Sequence, residues 1–366
     1  MIVYLMPRAP FTKNVPRSDT LFGAIAWAIR LLYGEKELVR ILDEFDLAIS
    51  AQESPPFVIS SLFPYFEDKE GKILFLPRPL SPPSFPSQTF NLETYQAYKR
   101  FLKIDYVSQS IFNLMTSGEL EESRLLDDLA KKDGNYSQQA GTLMAASEHD
   151  RVRVLSRLTI SQEHARNAIN RLSSSTGGDD GGQLYYQPVT SSLALPGNDA
   201  HSGFYLLVRV APDRSNRISD ILRAAFRFLA DKGLGGDTTI GRGHCDVEFS
   251  DEQLISDNPT GKRLVTLSLL HPGATDRKHF SRCQQQIYAR LEKRKGFIES
   301  AYTKEIKRVW KPTLFMLGEG STFPVDNGRR LYGSLFTDTH QRDGMDFRIR
   351  INGLAYTVGM KGEPTQ

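Results

Sequence analysis

A stretch with five glycines in eleven residues, 233–243, carries the strongest chemical signal in the sequence. It reads Gly-Leu-Gly-Gly-Asp-Thr-Thr-Ile-Gly-Arg-Gly and follows a predicted amphipathic helix over 219–232. Glycine permits positive φ and close approach to the backbone, so such a bend presents successive N–H groups that suit a phosphate chain. The stretch therefore predicts a phosphate-binding loop. A plain turn joining the helix to a strand over 244–250 stays open as the alternative.

Neither of the two common nucleotide-binding loops fits this stretch. A P-loop reads G-x-x-x-x-G-K-[ST] after a strand, whereas Arg242 and Gly243 stand here where Lys and Ser belong. A dinucleotide-binding turn needs the third glycine of G-x-G-x-x-G, and Thr238 occupies that place. No carboxylate pair with evident metal geometry accompanies the loop, so a nucleotide-dependent enzyme is disfavoured.

The charge balance of the chain is mild, but its basic residues are unevenly distributed. The 366 residues are 40% hydrophobic, and 46 Lys and Arg against 43 Asp and Glu leave a net charge of +3. Such a small excess does not by itself indicate nucleic-acid binding, so the distribution decides. Basic residues concentrate over 277–311 and over 151–171. Each run predicts either a nucleic-acid contact or a solvated helix face.

Cysteine usage and hydropathy predict a reduced, cytoplasmic protein without a cofactor or structural metal. The two cysteines, Cys245 and Cys283, form no CxxC pair, and no His/Cys cluster has the spacing of a zinc site. The N-terminus lacks the apolar core of a signal peptide, and no segment approaches the ~18 apolar residues of a membrane span. We expect no membrane partner.

The first 250 residues predict a β-α-β-β-α-β order with an insertion. The predicted strands and helices cover 1–6, a helix that begins at Ser18 or Asp19, 57–61, 72–76, 204–210, 219–232 and 244–250. The insertion, about 148–202, predicts a β-hairpin arm with strand character at 151–158 and 184–188. A Ser/Gly/Asp run at 173–182 forms its predicted tip.

Asn258-Pro259 lies in a polar segment and predicts a joint between two domains, 1–250 and 251–366. Beyond the joint we expect a second α+β domain. Its predicted elements are a strand over 263–270, a basic helix over 278–295, and strands over 313–317, 331–336 and 347–351.

Motifs along nearly the whole chain resemble the RAMP proteins of type III CRISPR effector complexes. Within that family the sequence is most similar to the fourth Csm subunit of type III-A complexes, which caps the 5′ end of the CRISPR RNA. Besides the glycine-rich loop, the motifs are Ser18-Asp-Thr-Leu-Phe-Gly-Ala-Ile25, Pro56-Phe-Val-Ile-Ser60, Leu76-Pro-Arg-Pro79, Tyr98-Lys-Arg-Phe-Leu-Lys-Ile-Asp-Tyr-Val107, Arg166-Asn-Ala-Ile-Asn-Arg171, Gly203-Phe-Tyr-Leu-Leu-Val208 and Gly353-Leu-Ala-Tyr-Thr-Val358. The segment 120–147 departs from the pattern as extra length.

The resemblance implies an α+β protein of two ferredoxin-like (RRM-like) domains with an inserted β-hairpin arm. It implies a non-catalytic subunit that grips the repeat-derived 5′ tag of the CRISPR RNA. It also implies docking of the large polymerase-like subunit and of the first backbone RAMP subunit, with target RNA contacted only indirectly. The equivalent subunit of another type III complex stays open as an alternative.

The expected RNA contacts fall into five groups. In the loop, amides of the glycines, the Arg242 guanidinium and two hydroxyls are suited to phosphate or 2′-hydroxyl groups. The expected RNA-binding residues are Gly235, Gly236, Thr238, Thr239, Gly241, Arg242 and Gly243 in the loop; Ser18, Asp19 and Thr20 at a helix start; Ser60 and Arg78 at strand ends; Lys99, Arg100 and Lys103 beside tyrosines; and Arg166 and Asn167 on the arm. We expect no catalytic residue and no metal ligand.

A repeat-processing endoribonuclease of the same fold family is the alternative from the enzyme class. Such enzymes often use histidine in acid–base cleavage. Asp19 is the residue most open to a catalytic role, but a carboxylate that caps a helix is more often structural. His149-Asp150 matches a metal-binding dipeptide without a further ligand set, and His164 and His244 stand alone in the sequence. We expect these histidines to serve packing or to lie on the surface.

Overall fold

A computed structural model describes residues 1–82, 92–131, 133–167, 184–195, 199–253, 261–298, 310–326, 331–342 and 345–361, with the single positions 169, 172, 174, 176, 255 and 329. The helices are α1 (Ser18–Tyr33), α2 (Glu35–Ala51), α3 (Leu92–Phe101), α4 (Gln109–Ser117), α5 (Glu122–Leu129), α6 (Ala146–Val152), α7 (Ser215–Lys232) and α8 (Ala274–Arg282). Within the described part of the chain, no helix is long and apolar enough to span a lipid bilayer.

The strands of the first 250 residues are β1 (Ile2–Pro7), β2 (Phe11–Thr12), β3 (Phe57–Ile59), β4 (Phe63–Asp68), β5 (Gly71–Pro77), β6 (Tyr106–Ser108), β7 (Tyr136–Gln139), β8 (Thr142–Ala145), β9 (Thr159–Asn167), β10 (Leu184–Ser192), β11 (His201–Val210) and β12 (Cys245–Ser250). The later strands are β13 (Arg263–Thr266), β14 (Leu291–Arg294), β15 (Leu314–Leu317), β16 (Thr322–Pro324), β17 (Gly333–Arg342), β18 (Met345–Leu354) and β19 (Thr357–Met360).

The N-terminal domain has the ferredoxin-like strand order. Its central strands run β12-β1-β11-β4, and all of these neighbours are antiparallel. Along β1 the apolar side chains alternate between two cores. Val3 and Leu5 pack with α1 and α7 on one face, and Ile2 and Tyr4 pack on the other. This alternation has the period of two that a strand requires. The alternation shows that β1 is an interior strand, between β12 and β11, of a sheet that is covered on both faces.

The insertion extends this sheet before it forms the arm. The sheet continues β4-β5-β6-β8-β7, so the extra segment 120–147 supplies α5, β7 and β8. The strand expected over 151–158 is wrong, because helix α6 begins at Ala146 and the chain turns until 158. The Ala145 N–H donates to the Glu148 carboxylate (2.9 Å), which caps this short helix.

The arm is a long antiparallel hairpin that pairs with the short strand β2. Strands β9 and β10 pair from Thr159 opposite Ser192 to Asn167 opposite Leu184, and β2 adds a third strand beside β10. The predicted arm is therefore confirmed with shorter bounds than 148–202. Most of its predicted tip, 173–182, lies outside the described residues.

The C-terminal domain repeats the ferredoxin-like order in a more open form. β13 pairs with β19 and β16, and the continuation of β13 bridges β15 through Leu270 and Leu317. β15 in turn pairs with β14. The helix expected over 278–295 is wrong beyond Arg282, because residues 291–294 pair as β14 and alternate between exposed and half-buried side chains. Pairing with β15 overrides the helix-like basic composition.

The two domains share one core and a set of buried hydrogen bonds. Val265, Leu267 and Val358 pack in the same cluster as Tyr4 of β1. The Ser61 N–H donates to the Leu267 carbonyl (2.9 Å). The predicted domain division at 250 and 251 stays a prediction, although β12 ends at residue 250.

Candidate nucleic-acid interface

The five loop glycines divide into two structural residues and three exposed ones. At Gly233 and Gly243 φ is +97° and +70°, and a Cβ would stand 2.3 Å from the Arg242 carbonyl oxygen and 2.0 Å from that of Leu234. No other residue fits such close backbone contact. These two glycines form the stem of the loop, where the Leu234 N–H donates to the Gly243 carbonyl (3.0 Å).

The exposed part of the loop offers fewer free amides than the sequence predicts. Gly235, Gly236 and Gly241 are exposed, and a Cβ at any of them would meet no close contact. The Gly241 N–H, however, donates to the Thr238 carbonyl (3.0 Å), and the Gly243 N–H donates to the Pro10 carbonyl (3.1 Å). These two amides are therefore occupied. The Gly235 and Gly236 amides have no acceptor among the described residues, and they remain as the donors for an anion.

Asp237 fastens the loop to the arm, a role that sequence reasoning missed. Its backbone is left-handed (φ +58°), a conformation that Asp tolerates better than most residues. Its carboxylate accepts hydrogen bonds from the Thr12 hydroxyl (3.1 Å) and from the Gln187 amide of β10. Thr239 lies exposed beside it, whereas Thr238 is half-buried.

Arg242 is buried beneath the arm rather than extended into solvent. Arg242 is only 7% exposed, and its guanidinium donates a hydrogen bond to His164 Nδ1 (3.0 Å). Because arginine only donates, His164 Nδ1 is the acceptor of this hydrogen bond. No carboxylate of the described chain forms an ion pair with Arg242. A buried cation without a counter-ion is costly, so the site favours an anionic ligand.

The arm presents a second cation next to this one. His164 and Arg166 stand two positions apart on β9 and so share a face, opposite Gln187 and Tyr185 of β10. Arg166 Nε is buried and has no hydrogen-bond partner. Tyr185 is exposed. By the same alternation Asn167 points to the other face, so the structure separates it from Arg166.

We call the surface formed by the exposed loop and this arm face the loop–arm surface. It consists of Gly235, Gly236, Asp237, Arg242, His164, Arg166, Tyr185 and Gln187. Within the described part of the chain, it combines amides without acceptors, two cations without carboxylate partners and an exposed aromatic ring. That set suits a nucleic-acid backbone and one stacked base.

The predicted contacts Ser18 and Ser60 are fully buried and serve the protein itself. Ser18 Oγ accepts the Leu269 N–H (3.0 Å) across the domain interface, and the Ser18 N–H donates to Ser61 Oγ (3.0 Å). Ser60 Oγ accepts the Leu207 N–H (2.9 Å). The two hydroxyls are therefore not exposed to a ligand in this structure.

Asp19 is neutralised by an arginine of the C-terminal domain. Arg294 donates to both carboxylate oxygens, at 2.9 and 2.8 Å. The Thr20 N–H in the first turn of α1 also donates to this carboxylate (2.8 Å). A helix start that holds its own carboxylate has less attraction for a phosphate than the sequence predicts.

The charges next to Asp19 are matched as well. Arg17 pairs with Glu292 (3.0 Å) and with Glu319. Burial alone would lower the pKa of Arg17, but its hydrogen bond to Glu319 and the charges of both glutamates raise the pKa overall. We call this set the junction network: Arg17, Asp19, Glu292, Arg294 and Glu319.

Arg78 also has an internal role. It is buried, its Nε donates to the Ile104 carbonyl (3.3 Å), and its guanidinium lies 4.6 Å from the centre of the Phe101 ring. Burial lowers the pKa of Arg78, while the charge of Glu122 (3.7 Å) opposes that effect. Arg78 therefore stabilises the inserted helices rather than offering a free charge.

The remaining predicted residues lie on the surface away from these contacts. Lys99, Arg100 and Lys103 are exposed on or just after α3, and Lys99 Nζ lies 4.5 Å from the centre of the Tyr95 ring. His149 and Asp150 lie on α6, where Asp150 pairs with Arg153 (3.6 Å). The described residues contain no cluster of three side chains that could hold a metal ion.

Comparison with known proteins finds similarity to a CRISPR protein. No family model matches it. A curated protein of Thermococcus onnurineus (strain NA1), "CRISPR system Cms protein Csm4", is 26% identical over 364 residues, which cover 98% of this chain and 96% of the relative. The chain is Csm4-like. This confirms the resemblance drawn from the motifs.

Solved structures of Csm4 share the fold over almost the full length. A Csm3–Csm4 subcomplex from a type III-A CRISPR-Cas interference complex matches with a TM-score of 0.60 at 19% identity, covering 99% of both chains. A Csm1–Csm4 cassette in complex with cA4 matches with a TM-score of 0.54 at 20% identity, covering 100% of this chain and 98% of that one. The Csm4-like chain therefore has the expected α+β fold with ferredoxin-like domains.

Proposed function

We propose that this Csm4-like chain is a non-catalytic RNA-binding subunit of a type III-A (Csm) complex and holds the repeat-derived 5′ tag of the CRISPR RNA. The loop–arm surface carries the proposal. Arg242 and Arg166 bring to one place two cations that have no carboxylate partner among the described residues. The free amides of Gly235 and Gly236 lie on the same loop. A phosphate chain supplies the charge that these groups lack.

The hydrogen bonds of the candidate catalytic groups support a role in holding RNA rather than cutting it. Asp19 is bound at both oxygens by Arg294, so it is not free to take a proton from an RNA hydroxyl. The one histidine of the loop–arm surface, His164, already accepts a hydrogen bond from Arg242. Neither group is arranged as a base awaiting a substrate.

The partners follow from what the relatives assemble with. In the similar solved structures, Csm4 proteins are assembled with Csm1 or with Csm3. We accordingly propose that this chain docks the large polymerase-like subunit and the first backbone subunit, and meets target RNA only indirectly. Co-expression with either partner should yield a complex that survives size exclusion, and failure with both partners would contradict this part.

The RNA claim is tested with a labelled repeat-derived RNA and the full-length chain. We expect retention of intact RNA, with affinity that falls as salt rises. Arg242→Gln should weaken binding about tenfold, the effect of losing one hydrogen bond to a charged group, and should reduce the salt slope by about one. Arg40→Gln on α2 removes the same charge elsewhere and should leave binding unchanged. Equal affinity of Arg242→Gln and the native chain would refute the assignment.

The endoribonuclease alternative is decided in the same reaction because His164 lies at the surface where RNA is expected. Products that appear with time and disappear in His164→Ala would establish it. Intact RNA with both proteins supports the holding role. The remaining expected contacts, including Lys99, Lys103 and Asn167, stay proposals that the same binding assay can rank.

A further inference from the structure

A hairpin of the C-terminal domain forms a second surface with RNA-binding chemistry, apart from the loop–arm surface. In β14 and β15, Lys293 stands directly opposite Phe315, and Leu291 stands opposite Leu317. Leu291, Lys293 and Phe315 are exposed on the outward face. The other side chains of β14 point inward, where Arg294 contacts Asp19 of the junction network. Because side chains alternate along a strand, β14 has an inner face that carries ion pairs and an outer face that is exposed to solvent.

Aromatic rings and a lysine extend this outer face past the end of β14. Phe297 and Trp310 stack with ring centres 3.7 Å apart, and Lys295 Nζ lies 4.6 Å from the centre of the Trp310 ring. Trp310 is 52% exposed and Phe315 is 54% exposed. We call this surface the outer β-face: Leu291, Lys293, Lys295, Phe297, Trp310 and Phe315.

The charge of the outer β-face indicates which class of ligand it can bind. Neither Lys293 nor Lys295 has a carboxylate partner within the described part of the chain. The acidic residue between the outward positions, Glu292, faces inward and pairs with Arg17. Counting the described residues, this face has exposed rings and only positive charge, which complements a polyanion that carries flat bases. A protein partner of apolar character would leave both ammonium groups without counter-ions.

We infer that the outer β-face binds a short single-stranded RNA segment. Bases stack on Trp310 and Phe315, and phosphates contact Lys293 and Lys295. Ferredoxin-like domains that recognise RNA use exposed aromatic residues on their sheets in this way. The inference rests on the proposed function only in requiring that RNA is bound to the chain. Its residues are independent of the loop–arm surface.

The experiment uses tryptophan fluorescence, since the chain has two tryptophans, Trp27 and Trp310. In a full-length Trp27→Phe variant Trp310 is the only indole, and titration with a short oligouridylate should quench it saturably. Lys293→Glu with Lys295→Glu should weaken that binding about tenfold or more. Phe315→Ala should weaken it about fivefold, the lower range for one stacked base. Lys36→Glu on α2 is the matched control, and thermal melting checks that each variant is folded.

The outcomes separate this inference from the proposed function. Quenching that is lost with the two lysine substitutions but kept in Arg242→Gln supports an independent RNA site. If Trp310 does not respond while repeat-derived RNA is retained, the outer β-face inference is overturned and the proposed function stands. Quenching that survives the lysine substitutions overturns it too. So does quenching caused by a Csm3-type protein and not by RNA, which would make the face a subunit interface.

Discussion

The loop–arm surface and the junction network both contain arginines of low exposure, but they differ in whether those arginines are paired with carboxylates. In the junction network, Arg17 and Arg294 each bind a carboxylate at 3.0 Å or less. In the loop–arm surface, Arg242 and Arg166 have none within the described residues. Both regions contain charged side chains of low exposure, but among the positions that the structure describes only the junction network pairs its arginines with carboxylates of the same chain.

This difference separates charge that holds the protein together from charge that awaits a ligand. Removing one partner of a buried pair leaves an uncompensated ion, which is strongly destabilising. Removing a buried ion that has no partner relieves the same cost. Stability and RNA affinity should therefore respond in opposite ways in the two regions, and substitutions can test this.

The largest effect is expected at the loop stem. Gly243→Ala should destabilise the fold by about 3 kcal/mol, because its Cβ would meet the Leu234 carbonyl at 2.0 Å in a left-handed backbone. Gly241→Ala has similar φ but open space, and it should cost only about 1 kcal/mol. Urea denaturation measures both losses. Equal losses would show that the stem is not fixed by close backbone contact.

Breaking the junction network should cost stability without changing RNA affinity. Asp19→Ala leaves Arg294 without its carboxylate at a partly exposed site, for an expected loss of about 1–2 kcal/mol. Adding Arg294→Met should restore part of that loss, which a double-mutant cycle detects. Affinity for tag RNA should stay within about twofold. A tenfold loss of affinity in Asp19→Ala would place this helix start in the RNA site after all.

The loop–arm surface should show the reverse pattern. Arg242→Met removes a buried cation that has no counter-ion among the described residues, so the free energy of unfolding should stay within about 1 kcal/mol of the native value or rise. RNA affinity should fall at the same time. Thermal melting and RNA retention on the same preparation measure the two quantities. A loss of stability like that of Asp19→Ala would mean that Arg242 is a structural residue.

The smallest expected effect is a pH dependence from His271 in the C-terminal domain. Burial, followed by the charge of Arg277, lowers the pKa of His271, while Asp276 opposes them. A histidine with a lowered folded-state pKa adds stability that is present above its unfolded pKa and lost as pH falls toward the folded one. Stability should therefore decrease below about pH 6.5, by no more than about 1.4 kcal/mol per pH unit. His271→Gln should flatten this slope in melting curves recorded between pH 7 and 5, and an unchanged slope would assign the dependence to other groups.

Local patterns predicted the elements that local chemistry determines. Neighbouring residues were enough to predict the alternation in β1, the start of α1 at Ser18 and the glycine-rich loop. The helix over 278–295 was predicted wrongly because β14 exists only by pairing with β15, twenty or more residues later. The burial of Arg242 could not be predicted from neighbouring residues either. It depends on His164, which lies 78 residues away in sequence.

The position of β1 between two strands that come late in the sequence also affects how the chain folds as it is synthesised. Its hydrogen-bonding partners, β11 and β12, leave the ribosome some two hundred residues after it. At ordinary translation rates, roughly 10–50 s pass before the apolar strand Ile2–Pro7 can enter its sheet. During that time the strand has neither of its sheet partners, and an unpaired apolar strand is prone to aggregation.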